Sequence, residues 1–168
     1  MTIGGSGDLT TYGNTIDFSG GPSRITWSHT GLLRISGTST YNSPSLKTYG
    51  LELNCYITMG RGNSMYYASL ADDLTIVGTG YLEIENRAKF TANNKNIKTP
   101  KFQAPSGTDL GITLGTGTLE ITGTGDAFKI GAVTSSSFSM NKGTIKFTAN
   151  SDSDTNFATG GSKTFKNI

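Results

Sequence analysis

Acidic side chains are the first residues of this sequence that could carry chemistry. Glu83 and Glu85 stand at alternate positions, which places both carboxylates on one face of an extended strand with Cβ atoms about 7 Å apart. Glycoside hydrolysis uses such a pair of carboxyl groups. Glu52 and the Asp72-Asp73 pair are the other candidates. A solvated strand face explains the glutamates equally well, and a turn explains Asp72-Asp73, so we predict no catalytic residue.

A polar run near the end of the chain offers oxygen ligands at alternate positions. Asp152 and Asp154, within residues 150–156, are therefore a calcium candidate. The run lacks the glycine and the terminal glutamate that the helical calcium loop requires. A polar corner that solvates the backbone is the alternative. One cysteine and one histidine exclude a zinc site, so we expect no cofactor.

The single cysteine, Cys55, lies in an alternating run that directs it inward together with Leu51 and Leu53. This pattern predicts a buried and inert thiol. A nucleophilic cysteine needs a histidine as its base, and the only histidine, His29, has no sequence relation to Cys55.

Aromatic side chains suggest a contact surface within residues 41–67. Tyrosine suits such a surface because its body is apolar and its tip is polar. Trp27 shares a strand face with Ile25 and His29, so a sugar-stacking patch is a second hypothesis. The alternatives are tyrosines that pack under a longer loop and a packed tryptophan with a peripheral histidine. The predicted binding surface comprises Trp27, Tyr41, Tyr49, Tyr56, Tyr66 and Tyr67.

The elements that position these residues are very short strands. Apolar and polar residues alternate in runs such as Leu33-Arg34-Ile35, Leu74-Thr75-Ile76 and Ile145-Lys146-Phe147. Each run places two large apolar groups on one face, as a half-buried strand requires. Residues 65–73 carry the one helix-like pattern, which we interpret as a loop or a single turn. The sequence therefore predicts an all-β fold.

Internal echoes suggest stacked repeats. Residues 78–84 return in altered form at 115–121, and residues 88–93 return at 145–150. The two offsets, 37 and 57 residues, differ by about one short solenoid period of roughly 20 residues. Short strands with small-residue corners favour a single-stranded β-solenoid, or β-helix. A β-sandwich or jelly roll is the alternative.

Composition limits the remaining classes. The chain has 168 residues, a net charge of +2, 15% charged and 10% aromatic residues, which together predict folding and not disorder. We expect a loose lead-in over residues 1–14 and one domain over 15–168. Either Ile168 ends a final coil, or the sequence is a fragment of a longer protein. The sequence has no concentrated basic face of the kind that nucleic-acid-binding proteins show. It also has no apolar run long enough to predict a membrane span. The N-terminal residues show no signal-peptide pattern.

The C-terminal third resembles a known kind of repeat. Residues 117–125, 143–148 and 160–168 follow the patterns G-T-hydrophobic-x-hydrophobic and G-G-x-K-T-F-x-N-hydrophobic. These patterns are similar to the degenerate Gly/Thr-rich β-helix repeats of phage structural proteins (fibres, spikes and head decorations) and of bacterial adhesin-like surface proteins.

The resemblance implies a non-enzymatic virion structural protein of a bacteriophage. It also implies partners among other virion or surface proteins, homo-oligomers such as trimers, and contact with a cell-surface glycan. The missing signal-peptide pattern favours the virion over a secreted, extracellular adhesin fragment. A polysaccharide-degrading spike enzyme is a third hypothesis. Ice binding is disfavoured because threonines do not recur at a fixed coil period.

Overall fold

The computed structural model describes residues 1–12, 15–37, 44–60, 66–104, 107–108, 110–131, 133–134, 137–140, 142–149 and 155–159. The chain is a parallel β-solenoid of about five turns, with further strands at either end. This confirms the predicted all-β solenoid. The sandwich alternative required antiparallel sheets, whereas every strand pair among the described residues is parallel.

The elements follow one another coil by coil. The first coils contain β1 (Thr2–Gly5), β2 (Leu9–Tyr12), β3 (Ile16–Asp17), the single-turn helix α1 (Gly21–Arg24), β4 (Thr26–His29), β5 (Leu32–Ser36) and β6 (Ser45–Lys47). The central coils contain β7 (Glu52–Leu53), β8 (Tyr56–Met59), β9 (Tyr66–Leu70), β10 (Leu74–Ile76), β11 (Tyr81–Ile84) and β12 (Ala88–Thr91). The last coils contain β13 (Ile97–Thr99), β14 (Phe102–Ala104), β15 (Gly107–Thr108), β16 (Gly111–Thr113), β17 (Thr118–Ile121), β18 (Gly125–Ile130), β19 (Val133–Thr134), β20 (Ser137–Ser139), β21 (Thr144–Phe147) and β22 (Thr155–Thr159).

Three long sheets run the length of the solenoid. The five-stranded sheet has the order β7-β10-β13-β17-β21, the six-stranded sheet β3-β6-β9-β12-β16-β20, and the seven-stranded sheet β2-β5-β8-β11-β14-β18-β22. Two short pairs, β1-β4 and β15-β19, complete the wall. Neighbouring strands come from successive coils, so each coil hydrogen-bonds to the coil before it and the coil after it.

The length of a coil can be measured along the seven-stranded sheet. Leu33 pairs with Ile57, Ile57 with Leu82, Leu82 with Phe102, and Phe102 with Phe128. These steps in the numbering give coils of 24, 25, 20 and 26 residues. The estimate of about 20 residues therefore fits one of these four coils and is too short for the others.

The internal echoes do not mark equivalent positions. Residues 81–84 form β11 in the seven-stranded sheet, whereas the similar residues 118–121 form β17 in the five-stranded sheet. Residues 88–91 and 145–147 also belong to different sheets. All three sheets require an apolar inner face and a polar outer face. Similar short sequences can therefore form strands in any of the three sheets.

Inward side chains form one continuous core. Leu74 and Ile76 are buried while Thr75 between them is partly exposed, as the alternation predicted. In the last coils Phe102 and Phe128 stack with ring centroids 5.8 Å apart. A fully buried side chain of this size contributes about 1.5–3 kcal/mol, so the core holds the coils together.

Two segments differ from the expectation. Within the expected lead-in over residues 1–14, the described residues 1–12 include β1 and β2, which pair in parallel with β4 and β5 and are therefore part of the solenoid. Residues 66–70 form β9 and not a loop or turn, because β6 and β12 pair with this segment on both sides. Pairing with neighbouring coils determines the structure of both segments. Such long-range pairing cannot be recognised from the short sequence of the segment itself.

Corners bring the backbones of successive coils into close contact. A Cβ atom on Gly117 would overlap the backbone carbonyl of Lys95 in the preceding coil. Gly115 has φ +75°, a conformation that favours glycine, and the side-chain amide of Asn94 lies against its Cα. The small-residue corners identified in the sequence are thus sites of contact between coils.

Candidate functional site

The outer face of the seven-stranded sheet carries a tyrosine stack. Tyr56 and Tyr81 are paired on β8 and β11, with ring centroids 4.0 Å apart and planes 18° apart. Lys101 Nζ lies 5.7 Å from the centroid of the Tyr81 ring, and Leu32 is the strand neighbour of Tyr56 on the other side. The ring faces therefore point along the solenoid towards neighbouring strands. Stacking of a sugar ring on a tyrosine needs an exposed aromatic face, and this stack presents ring edges.

Both candidate glutamates contact other coils. The Tyr56 hydroxyl donates a 2.5 Å hydrogen bond to Glu83 Oε2. Burial, and then the hydrogen bond to Glu83, raises the pKa of the Tyr56 phenol above its usual value of 10.0. Glu85 forms an ion pair with Arg34, at 3.4 Å, and the Arg34 Nε also donates to Thr58 Oγ1. Glu83 thus contacts the preceding coil, and Glu85 reaches a residue two coils earlier.

Trp27 and His29 point into the solenoid. His29 is only 1% exposed, and its ring lies edge-to-face with Trp27 at a centroid distance of 5.5 Å. Phe18 packs against the other side of the indole at the same distance. Among the described residues, Trp27 Nε1 and both ring nitrogens of His29 have no hydrogen-bond partner. Trp27 is thus partly buried against the core, as the packed-tryptophan alternative expected, whereas His29 is buried and not peripheral.

The other predicted aromatic residues lie on separate parts of the surface. Tyr49, in the left-handed region with φ 53°, stands at a corner, and Lys47 Nζ lies 4.3 Å from its ring centroid. Tyr66 and Tyr67 are half-buried on β9. Tyr41, Asp152 and Asp154 lie outside the described residues. The structure therefore does not gather the described members of the predicted binding surface on one face.

The Asp72-Asp73 pair stands at the corner between β9 and β10. The backbone N–H groups of Thr48 and Tyr49 donate to the Asp72 carboxylate at 2.6–3.0 Å. Asp73 accepts from the backbone N–H and the side-chain amide of Asn96 at 2.8 and 2.9 Å. Asp72 thus binds the preceding coil and Asp73 binds the following coil, so the two adjacent carboxylates connect three successive coils.

The outer face of the five-stranded sheet carries a polar groove. Strand pairing places Lys98, Glu120 and Lys146 side by side on β13, β17 and β21. Depressions of about 440 and 600 Å³ lie on either side of this row. One is lined by Asp73, Thr75, Asn96 and Thr118, and the other by Val77, Pro100, Thr122 and Thr148, in addition to members of the row.

This groove was not predicted from the sequence. Glu120 and Lys146 lie 22 and 48 positions beyond Lys98 along the chain. To place these two residues beside Lys98, the lengths of the next two coils must be known, and these lengths could not be derived from the sequence. The only available signal was the shared alternation, in which a charged residue stands between two apolar ones.

Cys55 is buried, as predicted, with 2% of its surface exposed. Burial raises the pKa of its thiol from 9.0 to about 12, so the thiolate that acts as a nucleophile is suppressed. Among the described residues, no group of three or more His, Cys, Asp or Glu side chains is arranged to hold a metal ion. In the same part of the chain, no helix is long and apolar enough to cross a membrane.

Fold and site together define a parallel β-solenoid with a polar outer groove. Comparisons with protein-family models, curated proteins and solved structures find no match to this chain.

Proposed function

We propose that this chain is a non-enzymatic structural module of a surface assembly, specifically a fibre, spike or capsid-surface component of a bacteriophage virion. The observation that carries the proposal is the continuity of the solenoid. Neighbouring coils are joined by backbone hydrogen bonds in three long sheets and by a shared core. Such stacking makes a stiff, elongated body whose outer faces are available for assembly or attachment.

The carboxylates support a structural role over the polysaccharide-degrading alternative. Glu83 accepts from Tyr56, and Glu85 is paired with Arg34 in an earlier coil. Asp72 accepts backbone hydrogen bonds from the preceding coil. In each case the acidic group contributes to the stacking of coils, and a retaining or inverting glycosidase would need two of them free to face a sugar.

The virion is proposed first and the bacterial adhesin second, both on the Gly/Thr-rich pattern described above. Partners are then other virion proteins, copies of this chain, and a glycan on the host surface. Particle location separates the two assemblies. An antibody against the chain is expected to label density-gradient-purified phage particles from the source culture. Label confined to the cell envelope or the culture medium would contradict the virion role.

Stoichiometry and enzymatic activity need their own measurements. Mass photometry of the purified protein is expected to show an oligomer, with a trimer at three times the 17.7 kDa chain mass. Host polysaccharide incubated with the protein is expected to keep its viscosity. A fall in viscosity that Glu83→Gln or Glu85→Gln abolishes would establish the enzyme instead.

A further inference from the structure

We propose that the groove on the outer face of the five-stranded sheet binds an acidic polysaccharide, with Lys98 and Lys146 holding successive anionic groups of the sugar chain. The inference rests on the proposed surface role and names the ligand class for it. Three observations carry it, namely the charge arrangement in the groove, the charge distribution along the solenoid and the chemistry of the lining.

The row itself carries two ammonium groups for one carboxylate; Asp73 adds a second carboxylate to the lining, where it accepts two hydrogen bonds from Asn96. Lys98 Nζ lies 3.8 Å from Glu120 Oε1, and the same oxygen accepts a 2.9 Å hydrogen bond from Thr148 Oγ1. The Lys98 side chain is still 52% exposed, and Lys146 is exposed on the other side of Glu120. With strands about 4.8 Å apart, the backbones of the two lysines lie about 10 Å apart. They can therefore engage two anionic groups of one chain.

Charge is unevenly distributed along the solenoid. Residues 1–85 contain four basic and seven acidic side chains, whereas residues 86–149 contain eight basic and three acidic ones. The strands β13, β17 and β21, which carry the row, all belong to the basic part. A polyanion approaching the molecule is thus attracted towards the end where the groove lies.

The lining suits a sugar better than a nucleic acid. Between and beside the lysines stand the hydroxyl groups of Thr75, Thr118 and Thr122, which both donate and accept hydrogen bonds. Both depressions fall in the usual size range of ligand sites, roughly 300–1,000 Å³. No aromatic ring lines either one. Proteins that bind single-stranded nucleic acid rely on aromatic stacking, so the polysaccharide is the better match.

Binding to defined polymers tests the proposal. The probes are polygalacturonate, which carries carboxylates, a glycerol-phosphate teichoic acid, which carries phosphates, and neutral dextran, measured by isothermal titration calorimetry at low salt. The unmodified protein is expected to bind at least one polyanion and not dextran. The polymer that binds more tightly identifies carboxylate or phosphate as the recognised group.

Variants locate the binding in the groove. The double variant K98Q/K146Q is expected to bind about tenfold more weakly, since two partly exposed ionic contacts are lost. The matched control K89Q/K129Q removes the same charge from the same basic part but from the other two sheets, and is expected to stay within about twofold. Glu120→Gln removes the competing carboxylate and is expected to tighten binding about two- to threefold.

Several results would overturn the inference. These are absence of binding to both polyanions, an equal loss in the control variant, or tighter binding of duplex DNA than of either polysaccharide. Circular dichroism melting of each variant shows whether the solenoid is intact. A negative result here leaves the labelling of purified particles unaffected, so failure of the groove and failure of the virion role are distinguishable.

Discussion

At the scale of single residues, burial controls the chemistry of Cys55. Its thiol has a pKa raised to about 12 by burial, while the unfolded chain releases the proton near 9.0. Between these values the folded protein binds one proton more than the unfolded chain does. The free energy of unfolding must therefore fall as pH rises above 9, with no contribution below it.

The variant Cys55→Ala isolates this effect. Between pH 8 and about pH 10.5, the unmodified protein is expected to lose about 2 kcal/mol more stability than the variant, at 1.36 kcal/mol per pH unit. Urea unfolding at both pH values measures the difference. Every other ionisable group is present in both proteins, so its contribution cancels in the comparison. Equal losses would show that the thiol is accessible to solvent.

The contact between Tyr56 and Glu83 gives a second residue-scale prediction. A hydrogen bond to a charged group is typically worth about 1.5–3 kcal/mol, and partial exposure reduces it. The single variants Tyr56→Phe and Glu83→Gln, together with their double variant, form a thermodynamic cycle. We expect a coupling energy of about 1 kcal/mol from chemical denaturation. A coupling near zero would mean that solvent satisfies both groups without loss.

At the scale of elements, side chains at the corners join successive coils in addition to the strand pairing. Asp72 satisfies the backbone N–H groups of Thr48 and Tyr49, the latter in a left-handed conformation that costs energy. Asp72→Ala is expected to lower the free energy of unfolding by about 2 kcal/mol, because two donors lose a charged acceptor.

The matched control for this corner is Glu52→Ala. Glu52 also carries a negative charge in the same coil region, but it is exposed on the outer face of β7. Its removal is expected to change stability by less than about 0.5 kcal/mol. Urea unfolding of both variants at neutral pH makes the comparison. Similar losses in the two would assign the effect of Asp72 to net charge.

Individual strands and corners could be predicted from the sequence, but the neighbours of each strand could not. Alternation correctly assigned Leu74 and Ile76 to the core, and small residues correctly marked the corners. Strand neighbours were not predictable, because coil lengths vary between 20 and 26 residues over the measured steps and all sheets share one pattern. For this reason the row of Lys98, Glu120 and Lys146 could be found only in the structure, and β9 was misread as a loop or turn.

At the scale of the whole molecule, stability should decrease from the centre towards the N-terminal end. In a stack of coils each unit contacts only its neighbours, so a terminal coil opens by breaking one interface. β8 pairs with β5 and β11, and Ile57 is fully buried. β1 pairs with β4 alone among the described strands, and Leu9 on β2 is 41% exposed.

Hydrogen exchange can measure this gradient. Amides of β8 and β11 are expected to exchange at least about a hundredfold more slowly than those of β1 and β2, because their opening disrupts two interfaces and fully buried side chains. Ile57→Ala should cost about 2–5 kcal/mol, whereas Leu9→Ala should cost about 1 kcal/mol or less because its side chain is partly solvated in the folded state. Uniform protection from β1 to β11, together with equal costs for the two substitutions, would instead show that the coils unfold as one cooperative unit.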